Sequence, residues 1–259
     1  LSDTQKDIID HIMNDSEMGH PGKYLIHGIT GSGKTEVYLG IAERMAADGK
    51  QTIVLIPEIA LTYQTLLRFS KRSGDRVSVV KSTLPKGEKY DQFIRAERGD
   101  LDVIIGPRSA LFTPFSRLGA IIIDEEHETS YKSETCPRYH ARETAEEITS
   151  KREAALILGS ATPSLEAYYR AMDGRYHLFE MNERLTGGSL PKVATIDMRA
   201  ELKGGNRSIF SFRLQTLMKE CLERGEQAIL FINRRGVAGF ISCRSCGHVM
   251  KCPHCDVSL

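Results

Sequence analysis

The sequence predicts an α/β layered domain with a mostly parallel sheet. Two observations carry that expectation. β-rich apolar runs alternate with segments of helical spacing, and the first such run ends in a glycine-rich loop that opens a helix. Residues 24–27 read as a short buried strand. Residues 28–35 fit G-x-x-x-x-G-K-[ST] at every constrained position, and residues 35–47 place Val37, Tyr38, Ile41, Ala42 and Met45 at helical spacing. Further strands are expected at 51–57 (stopped by Pro57), 78–80, 101–105, 120–123 and 155–158, with helices at 59–69 and 86–98. Ligands of such sheets gather beyond the carboxyl ends of the strands.

Bulk properties bound the function classes. With 259 residues, 41% hydrophobic and 27% charged, the chain suits a soluble globular protein of one large or two small domains. No apolar run approaches the ~20 residues that span a bilayer, and no basic segment precedes an apolar one as in a signal peptide. Membrane partners are therefore not expected. The chain begins at Leu1 and ends shortly after Cys255, so it is expected to be cut from something longer. A net charge of +1 neither supports nor excludes nucleic acid, because a local basic groove can hide in a neutral total. Of six cysteines, Cys243, Cys246, Cys252 and Cys255 crowd the C-terminus as two C-x-x-C pairs. That spacing points to metal and to a reducing, cytoplasmic compartment, with disulfides as the alternative.

Outside the strand–helix alternation, residues 1–13 suit a short amphipathic helix with Ser2 as N-cap and Ile8, Ile9 and Ile12 on one face. The pattern weakens over 180–206, where glycines and Pro191 interrupt it, and a boundary between two lobes is placed there. Residues 192–197 and 227–232 are expected strands. Residues 210–224 form a helix with Leu214, Leu217, Met218, Cys221 and Leu222 on one face.

Several motifs carry chemistry. In the loop Gly28, Ile29, Thr30, Gly31, Ser32, Gly33, Lys34, Thr35, glycines let backbone N–H groups turn towards phosphate oxygens and the following helix adds its positive end. Lys34 reaches the β- and γ-phosphates of ATP, and the Thr35 hydroxyl ligates Mg²⁺. Residues 121–127 read IIIDEEH. An apolar strand ending in Asp-Glu supplies the second half of a phosphate-loop ATPase: Asp124 for Mg²⁺, Glu125 to polarise the attacking water. His127 is expected near the γ-phosphate, where it could sense whether that group is present. A merely solvated acidic turn is the alternative. Tyr131, Lys132, Arg138, Tyr139 and His140 interleave aromatics with cations, which suits single-stranded DNA, whose bases stack on π faces. The alternative there is a surface loop with two half-buried tyrosines. Each C-x-x-C pair is a good Zn²⁺ knuckle, but the five residues between pairs fall short of the ~15–20 usual for one shared ion.

The box Asp124-Glu125-Glu126-His127, with LGSATPS at 158–164, resembles the superfamily 2 helicases. GITGSGKTEVYL, LIPEIALTYQ, GPRSALF, DEEHETSYK, RYHARETA, LGSATPSLEAYY and FINRRGVAG, in that order, resemble the PriA family of bacterial replication-restart DNA helicases (primosomal protein N′) over residues 5–255. Two positions depart from the pattern. Pro107 stands where a threonine is expected and removes a backbone donor, and Cys136-Pro137 replaces an aromatic.

The resemblance implies a RecA-like P-loop NTPase lobe over 1–185, the start of a second such lobe over 186–240 and a partial zinc segment over 241–259. It gives Gln5 the reading of adenine, since an amide donates and accepts at once; an exposed helix glutamine is the alternative. It gives Thr62, Arg108 and Ser109 the grip on a DNA backbone, Ser160 and Thr162 the coupling of nucleotide state to lobe movement, and the 131–140 stretch the signal that DNA has arrived. It implies two zinc ions per whole protein, bound across an interleaved set of pairs that is incomplete here. The implied activity is ATP-dependent 3′-to-5′ translocation on forked and single-stranded DNA in replication restart and primosome assembly, beside single-strand-binding protein and primosome proteins at the nucleoid. Another superfamily 2 translocase, for branch migration or restriction, is the neighbouring reading. A third is that the 259 residues alone bind ATP and DNA with little turnover, for want of the late arginines of lobe two.

Overall fold

The computed structural model describes residues 1–57, 63–81, 84–185 and 191–231. The chain divides into two compact units, Leu1–Gly188 and Ser189–Leu259. In the first, strands and helices follow one another as α1 (Asp3–Glu17), β1 (Lys23–Gly28), α2 (Lys34–Ala47), β2 (Gln51–Leu55), α3 (Tyr63–Ser73), β3 (Val77–Val79), α4 (Lys86–Arg98), β4 (Val103–Gly106), β5 (Leu118–Asp124), α5 (Ala141–Arg152), β6 (Ala155–Ser160), α6 (Leu165–Met172) and β7 (His177–Met181).

The helices start where side chains can replace missing backbone partners. At α1 the Ser2 hydroxyl accepts from the Gln5 N–H while the Ser2 N–H donates to Gln5 Oε1, a reciprocal capping box. Ser164 caps α6 through the Ala167 N–H, and His140 caps α5 through the Arg142 N–H. α4 stops at Gly99, which takes the left-handed conformation that glycine tolerates.

The seven strands form one sheet in the order β3-β4-β2-β5-β6-β1-β7, and every pairing is parallel. Successive strand residues face opposite sides, so two cores form. Tyr24, Ile26, Val54, Ile122 and Ile157 meet α1, α2 and α3 through residues such as Ile12, Val37, Ile41 and Phe69. Leu25, Ile53, Ile121, Ile123 and Leu158 meet α4, α5 and α6 through Ala96, Ala145 and Ala167, small residues that let those helices sit close. Isoleucines 121 to 123 are fully buried on both faces, which is why β5 reads as an unbroken apolar run.

Edge strand β7, half exposed on one side, was not expected, because His177, Phe179 and Glu180 break the apolar pattern. In the second unit, α7 (Met198–Lys203) is capped by Asp197 and α8 (Phe212–Glu223) by Ser211. Buried Asn206 joins them, donating to Glu201 at 2.7 Å and to the Phe210 carbonyl at 2.8 Å. The strands expected at 192–197 and 227–232 do not form among the described residues. Val193, Ile229 and Phe231 lie exposed, and no described strand of that unit offers them a ladder to join. Among the described residues, no helix is long and apolar enough to cross a membrane.

One contact between sheet and helix demands a glycine. A Cβ on Gly159 of β6 would stand 1.6 Å from the Tyr38 hydroxyl and 2.7 Å from its Cζ. Gly159→Ala is therefore expected to cost about 1–3 kcal/mol by overpacking, read as a lower urea midpoint at unchanged m-value.

Candidate functional site

The sheet brings three signature segments together. Ile26 pairs with Gly159, and Gly159 pairs with Asp124, so the carboxyl ends of β1, β6 and β5 lie abreast. From them leave the phosphate loop, the 160–164 segment and the acidic box, as parallel-sheet topology requires of a ligand site.

In the loop, Gly33 adopts a left-handed φ of 86° as the N-cap of α2. Lys34 is buried, and its Nζ donates to the Gly28 carbonyl at 2.6 Å. Ser32 is 3% exposed and its Oγ has no partner. Thr30 and Gly31 are exposed, while Ile29 and Thr35 are half-buried. A buried ammonium, an orphaned hydroxyl and a helix N-terminus form a donor-rich cradle that suits phosphate oxygens. Thr35 and Asp124 provide the hard oxygen donors that Mg²⁺ takes.

Gln5 is 1% exposed, which excludes the exposed-helix alternative. Its Nε2 donates to the Gly33 carbonyl at 3.2 Å while its Oε1 accepts from Ser2, so both ends of the amide are engaged. The chain after β7 also straps the loop: the Ile29 N–H donates to the Met181 carbonyl and the Leu185 N–H to that of Gly31.

Asp124 Oδ1 accepts from the Tyr38 hydroxyl at 3.0 Å. Burial, with neighbouring Glu125 adding to it, raises the Asp124 carboxyl to about 6, although Tyr38 and Lys34 pull the other way. Glu125 has a φ of 47°, a strained value for a side-chain-bearing residue. His127 Nδ1 lies 3.7 Å from Glu125 Oε2 and 2.7 Å from Ser160 Oγ, which also accepts from the Thr162 N–H at 3.0 Å. The proton between His127 and Ser160 follows the histidine tautomer. The acidic box and the Ser-Ala-Thr segment are thus in direct contact.

Glu126 and Arg142 were not singled out from the sequence. Glu126 is buried; its Oε1 accepts from the Ser164 N–H at 2.6 Å, and its Oε2 from the Ser164 hydroxyl at 3.0 Å and Arg142 Nη1 at 3.2 Å. This pair ties the box to the caps of α5 and α6. Three acidic residues in a row before His127 were the only sequence hint.

Towards the neighbouring loops, a 3₁₀ turn at Arg108–Phe112 follows Pro107. Arg108 Nη1 donates to the Ser130 carbonyl at 2.8 Å and to that of Lys132. Tyr131, expected to offer a stacking face, is 1% exposed and cannot do so; its hydroxyl instead contacts the Asp124 carbonyl at 2.6 Å and the Leu55 carbonyl at 3.1 Å. The apolar pocket beneath β5 outcompetes solvent for the ring, and two strand-end carbonyls hold the hydroxyl. Lys132 and Arg138 are exposed, and Ser109 and Tyr139 are half-buried. Tyr139 meets Phe112 edge to face at 5.0 Å. Thr62 and the four cysteines Cys243, Cys246, Cys252 and Cys255 lie outside the described residues.

Two cavities stand out among the described residues, at opposite ends of the sheet. One of about 590 Å³ is lined by Lys50 and Arg117, just before β2 and β5, and by Lys151 in the last turn of α5, so it opens at the end of the sheet away from the phosphate loop. The other, about 450 Å³, adjoins the phosphate loop and is lined by Ser2, Thr4, Ser32 and residues 180–185.

Two outcomes follow from this geometry. Removing one member of a buried ion pair strands the other, so Arg142→Ala is expected to lower unfolding stability by about 3–5 kcal/mol, with much of it recovered in Glu126→Gln/Arg142→Met; urea titration reads both. The folded Asp124 value lies above the usual 3.8, so this group's stability contribution is present below that pH and lost as pH rises through about 6. Asp124→Asn is therefore expected to stabilise the nucleotide-free protein by roughly 1–3 kcal/mol at about pH 7.5 and to bring no gain near about pH 4.

Known proteins bear on the same residues. The family model described as type III restriction enzyme, res subunit, matches residues 1–165. The replication restart protein PriA of Bacillus subtilis is 47% identical over 259 residues, which is 100% of this chain and 32% of that protein. The protein of the same name from Synechocystis is 51% identical over 240 residues, 91% of this chain and 29% of that one. The chain thus spans about a third of the length of these relatives. Among solved structures, RecG bound to a three-way DNA junction superposes with a TM-score of 0.52 at 20% identity, covering 86% of this chain and 31% of that one, a likeness of fold. The chain belongs to the family described as type III restriction enzyme, res subunit, and its resemblance to the PriA replication restart proteins runs its full length.

Proposed function

We propose that this chain is the first motor lobe, with the start of the second, of an ATP-dependent DNA helicase that moves 3′ to 5′ on forked and single-stranded DNA in replication restart and primosome assembly. One observation carries the reading: Lys34, Asp124-Glu125 and the His127–Ser160 contact converge at adjacent strand ends. The identity of 47% along the whole chain favours restart, since the restriction family model covers residues 1–165 and the junction-bound neighbour shares the fold alone.

Each residue then has a task. Loop N–H groups and Lys34 hold the β- and γ-phosphates, which requires Lys34 to leave the Gly28 carbonyl for a stronger charge-assisted contact. Thr35 and Asp124 hold Mg²⁺, which when bound neutralises phosphate charge. Glu125, at the rim of the site, orients and polarises the attacking water. His127 stands between Glu125 and Ser160, so the γ-phosphate is felt at Thr162.

Arg108, Ser109, Lys132, Arg138 and Tyr139, with Thr62, face the DNA backbone and bases. Tyr131 serves by position, as a peg between that surface and Asp124. Residues 1–185 make lobe one, 186–240 begin lobe two, and Cys243, Cys246, Cys252 and Cys255 supply part of two Zn²⁺ sites in 241–259. Single-strand-binding protein and primosome proteins are the proposed partners, in the cytoplasm at the nucleoid.

ATP hydrolysis by the whole protein, with and without forked DNA, tests the reading. Lys34→Ala and Glu125→Gln are each expected to cut turnover about 10²–10⁴-fold, the span of a lost transition-state donor for the first and of a positioned acid–base group for the second, with nucleotide binding kept in Glu125→Gln. Full turnover in both variants rejects the motor. Tyr131→Phe, which keeps the ring and removes only the hydroxyl that meets the Asp124 and Leu55 carbonyls, is expected to blunt DNA stimulation while leaving nucleotide affinity unchanged.

A further inference from the structure

We propose that His27, the last residue before the phosphate loop, is a positioning residue of the nucleotide switch: its Nδ1 takes the Ser160 hydroxyl when His127 turns to the γ-phosphate. The inference rests on the ATP site described above. It adds a residue that the loop, the acidic box and the Ser-Ala-Thr segment do not contain.

Register puts the two side chains next to each other. His27 of β1 pairs with Ser160 of β6, as Leu25 pairs with Leu158 two residues earlier. Leu25 and Leu158 both enter the core that faces α4, α5 and α6. Side chains two apart on a strand share a face, so His27 and Ser160 leave the same side of the sheet on strands about 4.8 Å apart. Tyr168 of α6 sets the imidazole on that side, meeting it edge to face at a centroid distance of 6.1 Å and an angle of 86°. α6 is in turn capped by Ser164, which Glu126 holds, so ring and acidic box keep a fixed spacing. Among the described residues, His27 Nδ1 is buried and has no hydrogen-bond partner. Buried polar atoms are almost always satisfied, and packing against Tyr168 asks only for an apolar ring. With its proton on Nε2, the imidazole holds Nδ1 open as an acceptor.

Ser160 needs such an acceptor for the switch to work. It is fully buried, so its hydroxyl cannot turn to water. Its Oγ lies 2.7 Å from His127 Nδ1 and accepts from the Thr162 N–H at 3.0 Å. The same His127 nitrogen lies 3.7 Å from Glu125 Oε2, on the hydrolytic side of the site. A His127 that turns to the γ-phosphate releases Ser160, and a buried hydroxyl released without a partner opposes the turn. A swing of the Ser160 side chain towards β1 finds His27 Nδ1 instead. His27 thereby lowers the cost of the ATP-bound arrangement. It leaves the ADP-bound one as it is, since without a γ-phosphate His127 keeps Ser160.

Calorimetric titration of the whole protein with Mg·ADP and with Mg·AMP-PNP, a non-hydrolysable ATP analogue, reads this role. His27→Phe keeps a ring against Tyr168 and removes the acceptor. It is expected to raise the Kd for AMP-PNP about tenfold, the scale of one hydrogen bond left unmade on a buried hydroxyl, with the Kd for ADP unchanged. His27→Asn, whose Oδ1 stands near the place of Nδ1, should restore wild-type discrimination. In a Ser160→Ala background His27→Phe should have no further effect, because no hydroxyl is left to receive. Unchanged AMP-PNP affinity in His27→Phe, an equal loss of both nucleotides at the wild-type urea midpoint, or an undiminished loss in the Ser160→Ala background overturns the proposal. His27→Asn behaving as His27→Phe overturns the acceptor role. His27→Leu takes the place of His27→Phe should the larger ring not fold. Lys34→Ala, which should weaken both nucleotides, checks the ATP site separately: full affinity there overturns the ATP reading, whereas the other outcomes turn on His27 alone.

Discussion

The parallel register of β1, β6 and β5 places Ile26, Gly159 and Asp124 side by side, and the rest of the site hangs from that row. A shift by one residue would turn Asp124 to the other face and separate it from Tyr38. The register is held from both sides, because isoleucines 121 to 123 and Leu156 to Leu158 are buried completely on alternating faces. Burial of this completeness leaves the strand no second way to lie. The loops at its carboxyl end inherit that precision, so chemistry built from three distant segments needs no further template.

Holding the site in this form carries a local cost. Asp124 is buried beside Glu125, Lys34 is turned onto the carbonyl of its own loop, Ser32 Oγ has no partner, and Glu125 is in a strained backbone conformation. The buried carboxylate and the orphaned hydroxyl are unfavourable in isolation, and each is of a kind that a divalent cation or a phosphate oxygen relieves. Two tyrosines supply the counterweight. Tyr38 donates to the Asp124 carboxylate and Tyr131 to its carbonyl, so both ends of the residue are fixed by fully buried rings. The surrounding cores can bear the strain because their apolar burial is spread along every strand.

What was legible in the sequence was local. The phosphate loop, the Asp-Glu box and the buried strands each declare themselves within eight or so consecutive residues, since the pattern and the chemistry share the same short stretch. What depended on distant neighbours was not. Tyr131 looks like a stacking aromatic among cations, yet its ring is claimed by the pocket under β5 and its hydroxyl by carbonyls of Asp124 and Leu55. Glu126 looks like a spare acid until Arg142 and Ser164 are brought to it by α5 and α6. β7 pairs only at one edge and is half exposed, so its composition never had to be that of a core strand. The apolar runs at 192–197 and 227–232 carry strand propensity without a described neighbour to pair with, and propensity alone builds no ladder.

Tyr131 also ties the surface around Arg108, Lys132 and Tyr139 rigidly to the acidic box. Arg108 clasps the carbonyls of Ser130 and Lys132, the residues on either side of Tyr131, and Tyr131 rests on Asp124. Lys132 is in turn bridged to His140, the cap of α5, two residues before Arg142 meets Glu126. The loop from 132 to 140 is therefore pinned at both ends to the acidic box, once through Tyr131 and once through Arg142. An exposed loop tethered in this way cannot shift as a free flap. A ligand phosphate that drew Arg108 from its two carbonyls would do so by offering an anionic acceptor in place of neutral ones, and the first residue to lose support would be the one holding Asp124.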